Sequence, residues 1–307
     1  MFDSIIVGAG FAGSSCALWL KQLGYTPVLI DKQIQCGGLQ LSNPYTNTWI
    51  ASSFNVQGKD VANAMHENMT QHQVTMLLGQ EALESAFIKG GVNVDLADGS
   101  CIAGKFLVLA GGVIHKTGGF INQVGITVGS GSSVENINFS GARVAILGGG
   151  DSAFENYLIA KDRGATSVVI FARSLKARAS MLDKVSPDDV VVGEYDVDSG
   201  THSVNGVPFD QILVLYGYEA SKKSLLGIDL TMRPDGFVST NEDCLTSHPL
   251  VYAIGEITRR SHPCCITSMA DGVVAAKAIQ RRLEVMATIR YAGLTRKAAS
   301  LGSKVSA

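Results

Sequence analysis

The fold is decided by residues 4–20, whose sequence is SIIVGAGFAGSSCALWL. An apolar run leads into a G-x-G-x-x-G pattern and then into a small-residue segment with helical spacing, which indicates a buried strand, a tight turn and a helix. Gly8 permits the turn, Gly10 lets the backbone approach a pyrophosphate, and Gly13 lets the helix lie close to the strand. The helix N-terminus would offer free N–H groups to the phosphates. The residues that we expect to line this dinucleotide site, the first glycine turn, are Gly8, Gly10, Phe11, Ala12 and Gly13.

A second strand, residues 27–31, ends in a carboxylate. Asp31 stands about where an acidic residue takes the ribose hydroxyls of the adenosine half, and Lys32 adjoins it. Because Asp31 disfavours a 2′-phosphate, the expected ligand at this site is NAD or FAD. A purely structural glycine turn is the alternative, since such turns also end ordinary strands.

The composition limits the class of protein. With 307 residues the chain is long for one core, which suggests two domains. Charged residues make up 17% and hydrophobic residues 46%, and the formal net charge is −2. This balance gives no basic field for nucleic acid and no acidic tail. We predict no metal site.

The chain shows no targeting or membrane segment. The first strand begins at residue 4, which leaves no room for a signal peptide, and no apolar run approaches the roughly 18 residues of a membrane helix. The six cysteines are scattered without the spacing of a disulfide framework, which suits a reducing compartment. We therefore expect a cytoplasmic protein without an integral membrane segment.

Residues 36–112 complete a first lobe. Gly37-Gly38, followed by Gln40, would let the backbone pass near a ribityl or pyrophosphate chain, although a plain surface turn is an equally good interpretation. A helix, a hairpin and a buried strand at 106–109 follow. That strand ends in Ala110-Gly111-Gly112.

A second glycine turn, residues 148–153, repeats the pattern after a linker at 115–131 that is rich in Gly, Thr and Ser. Residues 143–153 read RVAILGGGDSA, and a helix and the strand SVVIFAR at 167–173 follow. This strand ends in Arg173 instead of a carboxylate. A guanidinium there suits a 2′-phosphate and favours NADP over NAD, while a basic solvated loop is the alternative.

The last third adds a strand at 211–218, a turn at 234–236, a strand at 250–256 and a long helix through 271–279. Two dinucleotide sites joined by short linkers, followed by a returning segment, are typical of a flavoprotein with two dinucleotide sites.

With these motifs, the chain resembles the low-molecular-weight thioredoxin reductase family of the pyridine nucleotide-disulfide oxidoreductases over residues 4–285. The motifs that carry the resemblance are Gly8-x-Gly10-x-x-Gly13, Asp31, Gly37-Gly38, Ala110-Gly111-Gly112, Gly148-Gly149-Gly150-Asp151-Ser152-Ala153, and Ala253-Ile254-Gly255-Glu256 with Ala270-Asp271-Gly272. The resemblance implies an α/β fold with two Rossmann-like three-layer dinucleotide-binding domains, in a homodimer.

The same resemblance implies a division of the chain by cofactor. The implied segments are 1–114 and 244–290 for FAD, 115–243 for NADPH or another second nucleotide, and 291–307 as a C-terminal tail. Beyond the first glycine turn, the implied FAD contacts are Asp31, Lys32, Gly38, Gln40, Trp49, Ala110, Gly111, Gly255, Glu256 and Ile266. The implied contacts of the second nucleotide are Gly148, Gly150, Asp151, Ser152, Ala153, Arg173 and Arg178.

In the family, the last helix of the FAD domain begins at the pyrimidine edge of the flavin. Here that helix N-terminus is about Ile266 to Ala270. Its dipole would stabilise the negative charge of reduced flavin.

The chain also departs from the family. The family carries a C-x-x-C disulfide just before the second glycine turn, where residues 128–135 of this chain read VGSGSSVE. The usual thioredoxin reductase mechanism is therefore excluded. The basic NADPH motif keeps only Arg173 and Arg178. The flavin-binding aspartate is replaced by Glu256, and the Asn-Trp-Pro near the flavin reads Thr48-Trp49-Ile50.

Two adjacent thiols, Cys264 and Cys265, stand where the family usually has Arg-Gln before the last helix. By resemblance they lie beside the flavin, at a helix N-terminus that should favour thiolate. Adjacent cysteines can close a strained and readily reduced disulfide, and Cys36 is the alternative partner. Small buried cysteines that only fill space are the other interpretation. We interpret the remaining cysteines as packing residues: Cys16, Cys101 and Cys244.

Three functions fit the sequence. The first is an FAD-dependent oxidoreductase that exchanges electrons between flavin and a thiol or disulfide, and whose second site no longer holds NADPH productively. In this respect it resembles the diflavin-linked disulfide oxidoreductases, in which a second FAD occupies that site; NADPH remains the alternative second nucleotide. The second is an NADPH-dependent reductase of ferredoxin or another small redox carrier protein. The third is a flavin-binding sensor without catalysis.

Overall fold

The computed structural model describes residues 1–43, 46–52 and 55–302. The strands are β1 (Phe2–Val7), β2 (Pro27–Asp31), β3 (Thr46–Asn47), β4 (Val56–Gln57), β5 (Thr75–Leu78), β6 (Ala82–Ile88), β7 (Gly91–Leu96), β8 (Cys101–Leu109), β9 (Val113–His115), β10 (Ile126–Val128), β11 (Arg143–Leu147), β12 (Ser167–Ala172), β13 (Val190–Val192), β14 (Val197–Asp198), β15 (Ser203–Val204), β16 (Val207–Pro208), β17 (Gln211–Val214), β18 (Tyr218–Ala220) and β19 (Val251–Ala253). The α-helices are α1 (Phe11–Gln22), α2 (Gly58–Gln71), α3 (Ser132–Glu135), α4 (Asp151–Asp162), α5 (Ala179–Leu182) and α6 (Cys265–Gly302). Short 3-10 helices lie at Gly38–Ser42, Pro187–Asp189, Lys222–Leu225 and Gly255–Ile257.

The chain forms two compact units. The first comprises Met1–Leu41, Asn47–Gly112 and Ala220–Ala307, and the second comprises Ser42–Thr46 and Val113–Glu219. The chain thus returns to the first compact unit at Ala220. Helix α6 continues to Gly302, well into the segment that the sequence assigns to a tail. Among the described residues, no helix combines the length and apolar character that a membrane span requires.

The sheet of the first unit has the order β5-β2-β1-β8-β7-β6, and β19 pairs with β8. Strands β5, β2, β1, β8 and β19 are parallel, whereas β7 runs antiparallel to β8. The central residues of β1 and β2 are buried on both faces, as expected for parallel strands covered by helices. Their carboxyl ends meet at one edge, where the first glycine turn and the end of β19 lie.

Helices α1 and α6 approach each other closely on this sheet. A Cβ on Gly272 would lie 2.4 Å from the carbonyl oxygen of Ala12, and Ser15 Oγ donates to the carbonyl of Met269 at 2.9 Å. Small residues therefore allow backbone contact between the two helices, which brings the N-terminus of α6 beside that of α1.

The second unit contains the parallel sheet β10-β17-β11-β12-β13. Alternate residues of β11 belong to two hydrophobic clusters on opposite faces of the sheet. Val144 and Ile146 are in the cluster that includes Phe154 of α4, and Ala145 and Leu147 are in the other. Strands β14, β15 and β16 form a separate, antiparallel three-stranded sheet. Both units are Rossmann-like, and the predicted α/β fold class is confirmed.

Candidate functional site

The first glycine turn has the geometry that the sequence predicts. Gly8 has a φ of +111°, and a Cβ there would lie 2.3 Å from the carbonyl oxygen of Ala110. A Cβ on Gly13 would lie 1.9 Å from the carbonyl oxygen of Gly8. At Gly10, by contrast, the nearest atom to an added Cβ is Cα of Gly38 at 3.9 Å. Gly8 and Gly13 are therefore required by packing, while the space beside Gly10 would admit a Cβ in ordinary contact with Gly38.

The N-terminus of α1 faces that space, and its free N–H groups and positive dipole end are not neutralised by a capping or acidic side chain of the helix. Gly10 is the N-cap residue, no side chain caps the helix, and its first turn contains no acidic residue. The first N–H groups of a helix have no partner within the helix and attract anions. The arrangement therefore fits a pyrophosphate group.

Asp31 lies at the end of β2 and binds the turn itself. Its Oδ2 accepts from the backbone N–H of Ala9 at 2.5 Å, and its Oδ1 accepts from Gln33 N–H at 2.8 Å. Each carboxylate oxygen can accept a further hydrogen bond, so Asp31 remains able to bind ribose hydroxyls. The hydrogen bond from Ala9 N–H also holds the shape of the glycine turn.

The end of β19 reaches the same place. Gly255 has a φ of +74°, and a Cβ there would lie 2.8 Å from Cβ of Ala12 in the first turn of α1. Its N–H donates to Asp271 Oδ2 at 3.1 Å. Burial raises the pKa of Glu256, the adjoining residue. The structure thus brings Gly255, Glu256 and the first glycine turn together.

Other predicted FAD contacts lie around this centre with different exposure. Gly111 packs against the 3-10 helix at Lys222–Leu225, since an added Cβ would lie 2.1 Å from Ser224 Oγ. Gln40 accepts from Asn47 Nδ2 at 3.1 Å. Trp49 is 80% exposed and Ile266 is 42% exposed. Lys32 follows β2 directly, Gly38 begins the 3-10 helix at Gly38–Ser42, and Ala110 is buried just after β8.

The second glycine turn, which includes Ser152 and Ala153 in the first turn of α4, is also formed. A Cβ on Gly148 would lie 2.2 Å from the carbonyl oxygen of Leu215, whereas no atom lies within 4 Å of one added to Gly150. The N-terminus of α4 differs from that of α1 because its first turn contains Asp151. An anion at this second site would therefore meet a carboxylate.

The two predicted arginines of the second site are not equivalent. Arg178 lies 3.7 Å from Asp151 and 3.6 Å from Glu155, measured between nitrogen and carboxylate oxygen. Arg173 is exposed at the end of β12, and in the described ranges no carboxylate lies within ion-pair distance of it. Arg173 is thus the more available cation for a phosphate.

Residues 132–135, within the segment that the sequence analysis compares with a C-x-x-C, form a helical turn. Helix α3 follows Gly131, whose φ is +82°, and Val134 is buried. Arg163 donates to the carbonyl of Glu135 at 2.9 Å. This turn fills its position with an apolar side chain and offers no thiol.

The two adjacent thiols differ in their surroundings. Cys264 precedes the first residue of α6, and its Sγ accepts from the backbone N–H of Thr267 at 3.5 Å. The hydroxyl of Thr267 lies 3.4 Å from the same sulfur but also 2.6 Å from the carbonyl of His262. The backbone N–H is therefore the steadier donor to the thiol.

These contacts separate the two pKa values. Desolvation opposes ionisation of Cys264, but the hydrogen bonds from Thr267 and the backbone N–H of Ile266 outweigh it and lower its pKa. Burial, with the neighbouring Cys264, raises the pKa of Cys265. Of the two thiols, Cys264 therefore has the surroundings that favour the thiolate, which is the reactive form of a thiol.

We expect Cys264 to be alkylated by iodoacetamide faster than Cys101 at neutral pH, by at least about threefold. The thiolate fraction rises with pH through the pKa, so a lowered pKa moves the half-maximal rate of Cys264 to lower pH. A hydrogen bond with Asp95 raises the pKa of Cys101, so the half-maximal alkylation rate of Cys101 should lie at higher pH. Peptide mapping by mass spectrometry across a pH series measures both rates, and coincident profiles would contradict the assignment.

The remaining cysteines fit the predicted packing role except one. Cys16 and Cys244 are fully buried, and burial raises the pKa of both, that of Cys244 to about 12. Cys36 is also buried, and its pKa is raised to about 11, which makes it a poor thiolate. The packing prediction for Cys101 is wrong: it is exposed, because β8 begins at the hairpin end of the sheet.

A polar group that the sequence did not indicate supports this centre. Arg260 Nε lies 3.5 Å from Asp271 Oδ1, and Arg260 Nη1 lies 2.7 Å from Cys244 Sγ. Since Asp271 also accepts from Gly255 N–H, the ion pair fixes the turn after β19. The motif containing Asp271 was visible in the sequence, but no signal linked it to Arg260.

Comparison with known proteins agrees with this geometry. The model of the pyridine nucleotide-disulphide oxidoreductase family matches residues 2–278. A ferredoxin–NADP reductase of Saccharopolyspora erythraea is 26% identical over 88% of this chain and 88% of its own length. A thioredoxin reductase of Listeria monocytogenes is 24% identical over 92% of this chain and 94% of its own. The crystal structure of Lactococcus lactis thioredoxin reductase superposes with a TM-score of 0.76 at 19% identity, covering 92% of this chain and 98% of that one.

The match covers both glycine turns, the end of β19 and most of the described fold. The predicted resemblance to thioredoxin reductase and the predicted flavin-dependent oxidoreductase are confirmed at this level. The chain belongs to the pyridine nucleotide-disulphide oxidoreductase family.

Proposed function

We propose that this FAD-dependent oxidoreductase exchanges electrons between its flavin and a thiol or disulfide through Cys264 and Cys265. The observation that carries the proposal is the position of Cys264 before the first turn of α6, where Thr267 N–H reaches its sulfur. FAD would supply a two-electron acceptor or donor for the thiol pair. We propose that it is held mainly by the first glycine turn, Asp31 and the Gly255–Glu256 segment.

The chain's own thiols account for the exchange step. The Cys264 thiolate attacks one sulfur of a substrate disulfide, and the other substrate sulfur leaves as a thiolate and takes up a proton. Cys265 loses its proton and attacks Cys264, which releases the second substrate thiol and closes a Cys264–Cys265 disulfide. The substrate gains two electrons and two protons, and the protein loses the same. Run in reverse, the step oxidises a dithiol.

An anaerobic titration tests this proposal. Flavin-loaded protein is mixed with increasing dithiothreitol while the absorbance of oxidised flavin is followed. We expect the absorbance to fall to that of reduced flavin. A flavin that stays oxidised in a large excess of dithiol would overturn the proposal.

A second candidate is an NADPH-dependent reductase of ferredoxin or another carrier protein. It is favoured by the relative named ferredoxin–NADP reductase and by the exposed Arg173 at the second glycine turn. In this candidate, electrons enter from the second site and leave to an outside acceptor. The homodimer and the cytoplasmic location remain proposals under either candidate.

The two arginines should respond differently if NADPH binds. We expect Arg173→Ala to raise the KM for NADPH by about tenfold or more, since a charged phosphate contact is lost. Arg178→Ala should change it less, because Asp151 and Glu155 already compensate that guanidinium. Steady-state kinetics with an artificial electron acceptor measures both, and a larger effect of Arg178→Ala would contradict this ranking.

A second FAD in place of NADPH is the other occupant that we propose for this site. The carboxylates of Asp151 and Glu155 reduce the positive charge left for a 2′-phosphate, which supports it. The number of flavin molecules released per chain on denaturation tests this proposal. More than one flavin per chain supports the second FAD, and a single flavin contradicts it.

A further inference from the structure

The last turns of α6 extend past the core of the first unit. Earlier in the helix, residues spaced three or four apart are buried in that core: Ala275, Ala276, Ile279 and Leu283. The guanidinium carbon of Arg282 lies 4.6 Å from the ring centre of Phe106, at the end of this buried part. Every residue from 284 to 289 is exposed. The helix therefore continues beyond the residues that the core buries.

This exposed part of α6 carries apolar side chains. Val285 is 59% exposed, Met286 is 43% exposed and Ile289 is 67% exposed. Position 289 is four residues from 285 and three from 286, and residues at these spacings are neighbours on a helix surface. The three side chains therefore form one face, which we call the terminal apolar face. Adjoining exposed apolar side chains of this kind indicate an interaction surface.

The same end of the chain is basic. Residues 285–307 contain four basic residues and no acidic one, whereas the whole chain has 25 Lys and Arg against 27 Asp and Glu. The four are Arg290, Arg296, Lys297 and Lys304. In the backbone register of α6, position 290 is four residues after 286, and position 296 is two turns after 289. Basic positions thus continue the line of the terminal apolar face.

The length of this part matters for its stability. Residues 285–302 span about 27 Å of helix, at a rise of 1.5 Å per residue. A helix of this length is marginal in water unless the packing of an apolar face stabilises it. Because the terminal apolar face is exposed, that packing would come from a surface outside the chain.

We propose that the end of α6 binds the surface of a bilayer that contains anionic lipids. Anionic headgroups complement the four basic residues, and the boundary between headgroups and acyl chains takes up the terminal apolar face. A nucleic acid would attract the basic residues but leave the apolar face in water. In a second copy the end of α6 carries the same charge, so pairing of the two ends would set basic residues against each other.

The inference goes beyond the proposed function, since it does not depend on how electrons reach the flavin. It gives the enzyme a membrane surface as its place of action. The bilayer is bound from the side and not crossed, because the apolar residues occupy one helix face while basic residues follow along the same segment.

Cosedimentation with vesicles tests the inference. Flavin-loaded full-length protein is mixed with vesicles of phosphatidylcholine, either alone or with roughly one third phosphatidylglycerol, in about 0.1 M NaCl. The flavin absorbance left in the supernatant is measured against the lipid concentration. We expect the lipid concentration that binds half of the protein to be at least about tenfold lower for the anionic vesicles. Raising the salt to about 0.5 M should weaken this binding.

Two double variants of α6 separate the contributions. Val285→Ser with Ile289→Ser removes apolar side chains, and Arg296→Gln with Lys297→Gln removes positive charge. Each double variant should raise the half-binding concentration of anionic lipid about fivefold or more.

Matched controls make the same chemical changes elsewhere. Ile121 and Val124, between β9 and β10, are exposed apolar residues, and Lys59 and Lys89 are exposed lysines of the first unit. Ile121→Ser with Val124→Ser, and Lys59→Gln with Lys89→Gln, should bind vesicles like the wild-type protein. Flavin content and thermal unfolding of all variants show that they are folded.

Three results would overturn the proposal: no binding to anionic vesicles, equal binding to both kinds of vesicle, or unchanged binding in both α6 double variants. Light scattering without lipid identifies the other occupant. A smaller oligomer in the α6 variants, together with no vesicle binding by the wild-type protein, would show that the end of α6 packs on a second copy instead.

Discussion

Replacing Cys264 with serine is expected to slow reduction of the flavin by a dithiol by about 1,000-fold or more, since a hydroxyl does not exchange with disulfides. Cys264 is the thiol with the lowered pKa, so it should be the first point of attack. Stopped-flow absorbance under anaerobic conditions measures the rate. Cys265→Ser should also block turnover, but when it is treated with a disulfide in place of the dithiol, its Cys264 thiolate should still displace one substrate thiolate and form a mixed disulfide that mass spectrometry detects.

The control for this experiment is Cys101→Ser. Cys101 is exposed in the same unit and lies at the start of β8, so its replacement removes an exposed thiol without touching α6. We expect wild-type rates in this variant. Full activity in both Cys264→Ser and Cys265→Ser would contradict the thiol route.

The second large effect concerns two glycines of the same turn. Gly13→Ala should destabilise the protein by about 3 kcal/mol or more, because the new Cβ would lie 1.9 Å from the carbonyl oxygen of Gly8. Gly10→Ala should change the stability of the flavin-free protein by no more than about 1 kcal/mol. Gly10 has a φ of −71° and open space at its Cβ position.

For FAD affinity we expect a large effect at Gly10, the position where the substitution is well tolerated by the fold. The Cβ of Gly10→Ala would occupy the open space that we assign to the pyrophosphate, and we expect its FAD affinity to fall about 30-fold or more. Urea unfolding of the flavin-free variants and titration with FAD measure the two effects separately. Unchanged FAD affinity in a folded Gly10→Ala protein would contradict the placement of the dinucleotide.

The glycine turns were predictable because each depends on a short stretch of sequence. Strand, turn and helix follow one another within residues 4–20, and the need for Gly8 and Gly13 arises from contacts that this local pattern implies. The length of α6 was less apparent. Residues 291–307 are assigned to a tail in the sequence analysis, but residues 280–302 contain no proline and many good helix formers.

The electrostatics of the site could not be predicted in the same way. The pairing of Arg178 with Asp151 and Glu155 joins a loop after β12 to the start of α4, which only the folded unit brings together. The exposure of Cys101 depends on the pairing of β7 with β8 at the sheet end. Neither relation leaves a periodic signal in the chain.

The ion pair of Arg260 depends on tertiary structure for the same reason. Arg259 and Arg260 are adjacent in sequence, yet Arg260 pairs with Asp271, whereas no carboxylate among the described residues lies within ion-pair distance of Arg259. No local sequence pattern indicated this difference or the left-handed backbone at Arg259.

The central claim is that electrons reach the flavin through thiols. Its most direct test compares dithiothreitol with NADPH as reductants of the same flavin-loaded protein, under anaerobic conditions and with absorbance as the readout. The account predicts rapid bleaching by the dithiol that is lost in Cys264→Ser. Bleaching by NADPH with no response to dithiol would contradict it and favour the reductase of a carrier protein.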